Sequence, residues 1–310
     1  MSKRKMLFTR RRFLRDASTT LFSIGAITAG CTRTSAPPDH STQGEQGNIS
    51  DPSTWWQKEG FIVHDRVDIS QHSQGIIRAY VNDSWQNFRV AKLPERFVQW
   101  SLRARVARLG RMLKVGGMDP RDLAGAHNAC VATYGGPSRD SAISLNTAYK
   151  GMGFVIEADK LADTVQRIKE EQFRIERDTR GDVARQMHAK VEFLIEFYHD
   201  GSHFDLTKQV SLELFTSQDF QTHTFLNMMA NPIASASFLA FPTFEIRTVP
   251  QLLHPRNPGL SGYEKDLISY TNAIHDFIHS GPGDRITCVY HIIELFDDTP
   301  NDMAKGRRIV

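Results

Sequence analysis

The sequence predicts an α+β fold in which an antiparallel sheet is flanked by helices. Three observations carry that expectation. Val210–Pro250 reads strand, helix, strand, turn, strand. Three long segments repeat their apolar residues at helical spacing. Several shorter segments alternate apolar and polar residues with period two.

Charge comes first along the chain. Residues 1–30 hold seven basic side chains and one acid, a net of +6 on a chain whose formal charge is +3. The rest therefore carries −3, which is not the basic surface that nucleic acid requires. Within this segment, Thr9-Arg10-Arg11-Arg12-Phe13-Leu14-Arg15 resembles the twin-arginine export signal, Ser/Thr-Arg-Arg-x-Phe-Leu-Lys, departing only at its last position. The apolar run Leu21–Ala29 that follows is too short to remain as a membrane span. The resemblance implies a signal peptide over residues 1–30. It also implies passage of the folded chain through the twin-arginine machinery, across the bacterial inner membrane to the periplasm or the outer side of that membrane. Thr28-Ala29-Gly30-Cys31 resembles a lipoprotein processing site, with threonine where leucine is usual. It implies lipidation of Cys31 and a membrane anchor; otherwise Cys31 is merely near a cleavage point.

Residues 31–54 are polar, with Pro37-Pro38 and scattered Gly, Ser and Gln, and read as a disordered linker. Such a linker spans roughly 25 Å, at about 5–6 Å times the square root of residue number.

Residues 55–180 form an α+β N-terminal region. Phe61–Val67, Ile76–Val81 and Trp85–Val90 read as short strands, with a turn at Asn82-Asp83-Ser84. Pro94–Lys114 reads as a helix with Val98, Leu102, Val106, Leu109 and Leu113 in one stripe. Arg96, Arg103, Arg105, Arg108, Arg111 and Lys114 occupy much of its remaining circumference. A solvated face is the ordinary expectation for such a run. Contact with anionic lipid headgroups or a phosphorylated ligand is the sharper one. Gly116-Gly117 closes this helix and Asp119-Pro120 opens the next segment. Tyr134-Gly135-Gly136-Pro137-Ser138-Arg139 reads as a tight turn without a phosphate-loop lysine. Ala142–Tyr149 and Gly153–Glu157 read as strands. Ala158–Asp178 reads as a helix with Leu161, Val165, Ile168 and Ile175 inward, and with Asp163–Arg167 and Glu170–Arg174 pairs on its wet side.

In residues 181–310, Lys190–Tyr198 alternates and reads as a strand. Thr216 or Ser217 is the expected N-cap of a helix reaching about Met229, stopped by Asn231-Pro232. Ile233–Phe241 and Phe244–Leu253 read as strands. Gly262–His279 reads as a helix ended by Gly281-Pro282-Gly283, and Arg285–Phe296 as a central strand. Asn301–Val310 reads as a frayed tail.

The order strand, strand, helix, strand, strand, helix, strand from Lys190 onward, with Leu214-Phe215-Thr216-Ser217 before a helix ending Leu226-Asn227 and then Asn231-Pro232, resembles the FMN-binding split barrel of the pyridoxamine-phosphate-oxidase-like superfamily. The resemblance implies an antiparallel split-barrel-like sheet and an exported flavin-binding protein or flavin-dependent oxidoreductase. It implies an FMN phosphate at the helix start, held by Thr216, Ser217 and Gln218, with His223 where the family often has Lys or Arg. The alternative is a cofactor-free envelope protein that binds a small molecule or another protein. Expected partners are the export machinery, a small-molecule ligand, a membrane through Cys31 and a second copy of the chain.

Other chemistry is weakly written. There is no Gly-x-Ser-x-Gly elbow, no Gly-x-Gly-x-x-Gly and no Cys-x-x-Cys. His275 and His279, and His199 and His203, are spaced by four, which supplies two ligands where a metal needs three or four. Cys130 and Cys288 are a pair only if the fold brings them within reach. No catalytic acid, base or nucleophile is singled out.

Overall fold

The computed structural model describes residues 52–116, 122, 124–137, 140–279, 284–300, 304 and 306–310. The export signal, Cys31, most of the linker, Gly117, Asp119-Pro120, Ser138-Arg139 and the Gly281-Pro282-Gly283 stop lie outside the described residues.

Three short strands, β1 (Val67–Asp68), β2 (Ile76–Val81) and β3 (Ser84–Arg89), form a small antiparallel sheet. Asn82 and Asp83 turn the β2–β3 hairpin at φ 49° and 61°, the left-handed values that a two-residue loop demands and that Asn and Asp tolerate. The main sheet contains β4 (Asn128–Thr133), β5 (Asn146–Gly151), β6 (Gly153–Ile156), β7 (Phe204–Glu213), β8 (Ala234–Phe238), β9 (Phe244–Leu253) and β10 (Ile286–Asp297). Their order is β5-β4-β8-β9-β10-β7-β6, with antiparallel neighbours. Five helices flank it among the described residues: α1 (Glu95–Val115), α2 (Leu161–Thr179), α3 (Val183–His199), α4 (His223–Ala230) and α5 (Gly262–His279).

Only Met152 separates β5 from β6, yet they stand at opposite ends of the strand order. The chain thus ties the two ends together, and the sheet curls strongly into a half-barrel. This is the expected α+β architecture with a split-barrel-like antiparallel sheet. Lys150 of β5 pairs with Glu213 of β7 across the seam.

The inner face alternates as a half-buried sheet must. Ala129 and Val131, Ala236 and Phe238, Phe244 and Ile246, Tyr290 and Ile292 are all fully buried. Small alanines on β4 and β8 leave room for aromatic side chains of α1. Phe97 meets Phe238 and Phe244 at 5.5 and 5.3 Å between ring centroids, and Trp100 meets Phe244 at 5.1 Å. Such ring pairs add about 0.5–1.5 kcal/mol each beyond the area they bury.

Arg96, Arg103, Arg111 and Lys114 of α1 are exposed, as a solvated face would have them, but Arg105 is not. Arg105 is buried and donates to the carbonyls of Ala126 (2.8 Å) and Met152 (2.7 Å) and to Ser101 Oγ (3.2 Å). It therefore clamps the helix to the seam, because a buried guanidinium must spend its donors on acceptors. Arg96 pairs with the buried Asp297 at 2.5 Å, and Arg111 pairs with the buried Asp122. Arg103 and Lys114 stay exposed.

Several elements differ from expectation. Lys190–Tyr198 is not a strand but the second half of α3, which Asp182 caps by accepting the Arg185 N–H at 3.0 Å. Lys190, Val191, Leu194 and Phe197 recur at helical spacing and are buried together with Phe193. The apparent alternation was one face of a helix crowded with apolar residues. The helix after β7 starts at His223, not near Ser217. Its cap is Thr222, which accepts the Phe225 N–H at 3.1 Å, while Ser217 and Phe220 close a tight turn. In place of a strand over Phe61–Val67 there is only an Ile62–Trp56 bridge and the two-residue β1. Ala142–Tyr149 shrinks to β5, and β4 was not anticipated at all. Within the expected tail, the described Arg307–Arg308 form a strand, β11, that pairs with Phe296–Asp297. On α2, Leu161, Val165, Ile168 and Ile175 are the buried residues. Its arginines choose other partners: Arg167 takes Glu196 of α3, and Arg174 takes Glu171 and Asp178.

Candidate functional site at the half-barrel mouth

Helix α4 sits at one mouth of the half-barrel, and its position is fixed by asparagines. Asn227 donates to Thr133 Oγ1 (3.1 Å) and the Ser144 carbonyl (2.9 Å), and its Oδ1 accepts the Gly136 N–H at 2.8 Å. A Cβ at Gly136 would lie 2.6 Å from the Asn227 backbone nitrogen, so only glycine permits this approach. Asn231 ends the helix and accepts the Asn82 N–H of the small sheet at 3.0 Å.

Between the start of α4 and the inner side of β5 lies a cleft of about 530 Å³. Asn146 and Ala148 of β5 form one wall, and Thr222, His223 and Thr224 form the other. Asp140, Phe220 and Gln221 make the rim. Asn146 Nδ2 donates to Thr224 Oγ1 at 2.7 Å, linking the walls. His223 Nε2 lies 2.7 Å from Asp140 Oδ1. A carboxylate that orients an imidazole beside a cleft gives a group able to move a proton.

Behind the cleft is the buried Glu213–Lys150 pair. Thr216 and Thr222 both turn their hydroxyls to Glu213 Oε2, at 3.4 and 3.2 Å. Deeper on the same inner face are Cys288 and Tyr290, with Cys288 Sγ 3.7 Å from Met228 Sδ. Burial pushes the Cys288 thiol and the Tyr290 phenol up, so neither is an accessible anion at neutral pH. Cys130 and Cys288 are both free. Among the described residues no group of three or more His, Cys, Asp or Glu side chains is placed to hold a metal ion.

The structure separates the four residues expected to hold a cofactor phosphate. His223 lines the cleft and Thr216 borders it through Glu213. Ser217 gives its N–H to the Phe220 carbonyl at 2.7 Å. Gln218 points its Oε1 toward Gly60, where Arg256 also donates to the Gly60 carbonyl. The Phe225 N–H is already capped by Thr222. The Ser217 and Phe225 N–H groups are thus engaged, and a buried carboxylate faces the Thr216 and Thr222 hydroxyls. This set does not fit an FMN phosphate at Phe215–Gln218. Sequence reasoning missed Asp140, Asn146, Lys150 and Glu213, because each acquires its partner only through folding.

No family model, curated protein or solved structure matches this chain.

Proposed function

We propose that this is an exported envelope protein that binds a small molecule in the cleft at the half-barrel mouth. The observation that carries the reading is the convergence of polar side chains from β5, α4 and the Asp140 loop on one cavity at the mouth of a curled sheet, a usual place for ligands. The His223–Asp140 pair gives that cavity an imidazole oriented by a carboxylate. Export rests on Thr9–Arg15 and the apolar run after it, and anchoring on Thr28–Cys31.

Native mass spectrometry of the purified protein tests the binding reading. A co-purifying small molecule is expected, and Gln221→Trp, which narrows the cleft from its rim, should lose it. A protein that carries no such mass, and shows no thermal shift with any compound of a metabolite panel that Gln221→Trp abolishes, refutes the reading. Replacing Arg10 and Arg11 by Lys should leave the precursor in the cytoplasm, and Cys31→Ala should free the protein from membranes after lysis.

The flavin reading stands second. The split-barrel-like sheet favours it, and the Glu213 carboxylate opposes it. A visible absorption spectrum of the purified protein separates the two. A yellow protein that exchanges its pigment for FMN supports the oxidoreductase reading over a cofactor-free one.

A further inference from the structure

Residues 55–90, which include β1–β3, meet the half-barrel through histidines at three places. His64 Nδ1 accepts the Leu252 N–H of β9 at 3.0 Å. His72, in the short turn of 3-10 helix before β2, sets its ring against His291 of β10, with centroids 5.3 Å apart. Trp56 stands edge-on to His254 at 5.7 Å. Val67, Ile77, Ala79 and Val81 add an apolar contact with Val249. Arg66 also donates to the Ala230 carbonyl, and the Asn82 N–H donates to Asn231 Oδ1.

The geometry requires two of these imidazoles, His64 and His254, to be neutral. A ring nitrogen that accepts a hydrogen bond carries no proton. His64 Nδ1 accepts from Leu252, and His254 Nδ1 accepts the Arg256 N–H at 3.1 Å. Glu264 accepts from Gln251 Nε2 at 3.0 Å, which turns Gln251 Oε1 toward His291 Nε2 at 3.2 Å. That nitrogen therefore donates, and the Nδ1 of His291 is buried with no hydrogen-bond partner. His72 Nε2 is likewise buried without a hydrogen-bond partner.

Burial opposes added protons on all four rings, and the cations near them act in the same direction, while Asp205 and Asp284 act against it. Lys208 of β7 faces His72 and His291, already paired with Asp205, and its Nζ lies 5.5 Å from the ring centre of Tyr263. Glu264 is engaged behind Gln251. Arg66 faces His64. Arg256 and Asp284 face His254. Burial holds His64 and His254 down to about 4 and lowers His72 and His291 as well.

We propose that His64, His72, His254 and His291 form an acid-released clasp: neutral, they hold residues 55–90 on the half-barrel, and protonated, they let that segment go. Each ring takes up one proton from solvent as the segment opens. The closed-to-open ratio therefore falls by up to tenfold per pH unit for each ring, once the pH is below about 6.5, where a free histidine titrates.

Amide hydrogen exchange of the full chain between pH 8 and 5, corrected for intrinsic rates, tests the clasp. Peptides over Ile76–Arg89 should lose protection more steeply with acid than peptides over Ala234–Phe238. His72→Gln/His254→Gln removes two titrating rings and should flatten that local dependence by up to a hundredfold per pH unit. Equal pH courses for the two regions overturn the proposal, as does a double variant that keeps the wild-type steepness. Should the double variant fail to fold, an NMR titration of the histidine rings in the unaltered chain decides the matter. Four interface rings protonating without loss of protection at Ile76–Arg89 overturn the clasp. Protonation coincident with that loss supports it.

Discussion

Glu213 is held by Lys150, Thr216 and Thr222 in a place almost without water. Removing one partner of a buried ion pair strands the other charge, which costs about 3–5 kcal/mol. Lys150→Met should therefore lower unfolding stability by that amount in a denaturant titration. The same side chains decide the helix cap. Thr222→Ala should cost at least about 1 kcal/mol through the lost cap, whereas Ser217→Ala should stay within about 0.5 kcal/mol, as surface changes usually do. Equal losses for the two would restore Ser217 as the cap. His223 was legible only through the resemblance, which expects a basic residue a few positions into the helix that Asn231-Pro232 stops; it proves to be the first residue of that helix. Glu213 and Lys150 are 63 positions apart. Nothing local in either residue announces the other.

At the scale of elements, legibility followed the distinctness of the period. Phe244–Leu253 and Gly262–His279 have the bounds that their patterns predict. Helix α3 was misread because Val191, Phe193, Leu194, Ile195 and Phe197 satisfy periods of 2 and 3.6 at once. Its contacts with α1 and α5 settle the matter, which a local window cannot see. Strand β4 was invisible because Asn128-Ala129-Cys130-Val131-Ala132-Thr133 is built of small residues with little contrast between its faces. A substitution distinguishes helix from strand at α3. Glu192 is exposed on its outer side, and proline there should cost about 3 kcal/mol or more by breaking the helix interior. Circular dichroism with denaturant melts measures this; an unchanged midpoint would count against the helix.

For the whole molecule, the buried histidines set the response to acid. His64 and His254 have folded pKa values of about 4, below the ordinary 6.5, so the unfolded chain binds more protons. Stability is complete above about pH 6.5 and is lost as pH falls from there toward 4, with a slope of up to about 1.4 kcal/mol per pH unit for each ring. Thermal melts across that range should show it. The depressed Asp205 carboxyl contributes in the same sense at lower pH, where its share of stability is lost as it takes up a proton. The join at Met152 has a consequence in time. Because β5 and β6 are sequence neighbours at opposite ends of the strand order, neither end of the sheet settles until the strands between them, gathered from residues 128 to 297, are in register. Closure must wait for many distant pairings, which places refolding in the slow range of about milliseconds to seconds typical of non-local β topologies. Until then the chain carries open strand edges, the form in which it is most exposed to aggregation.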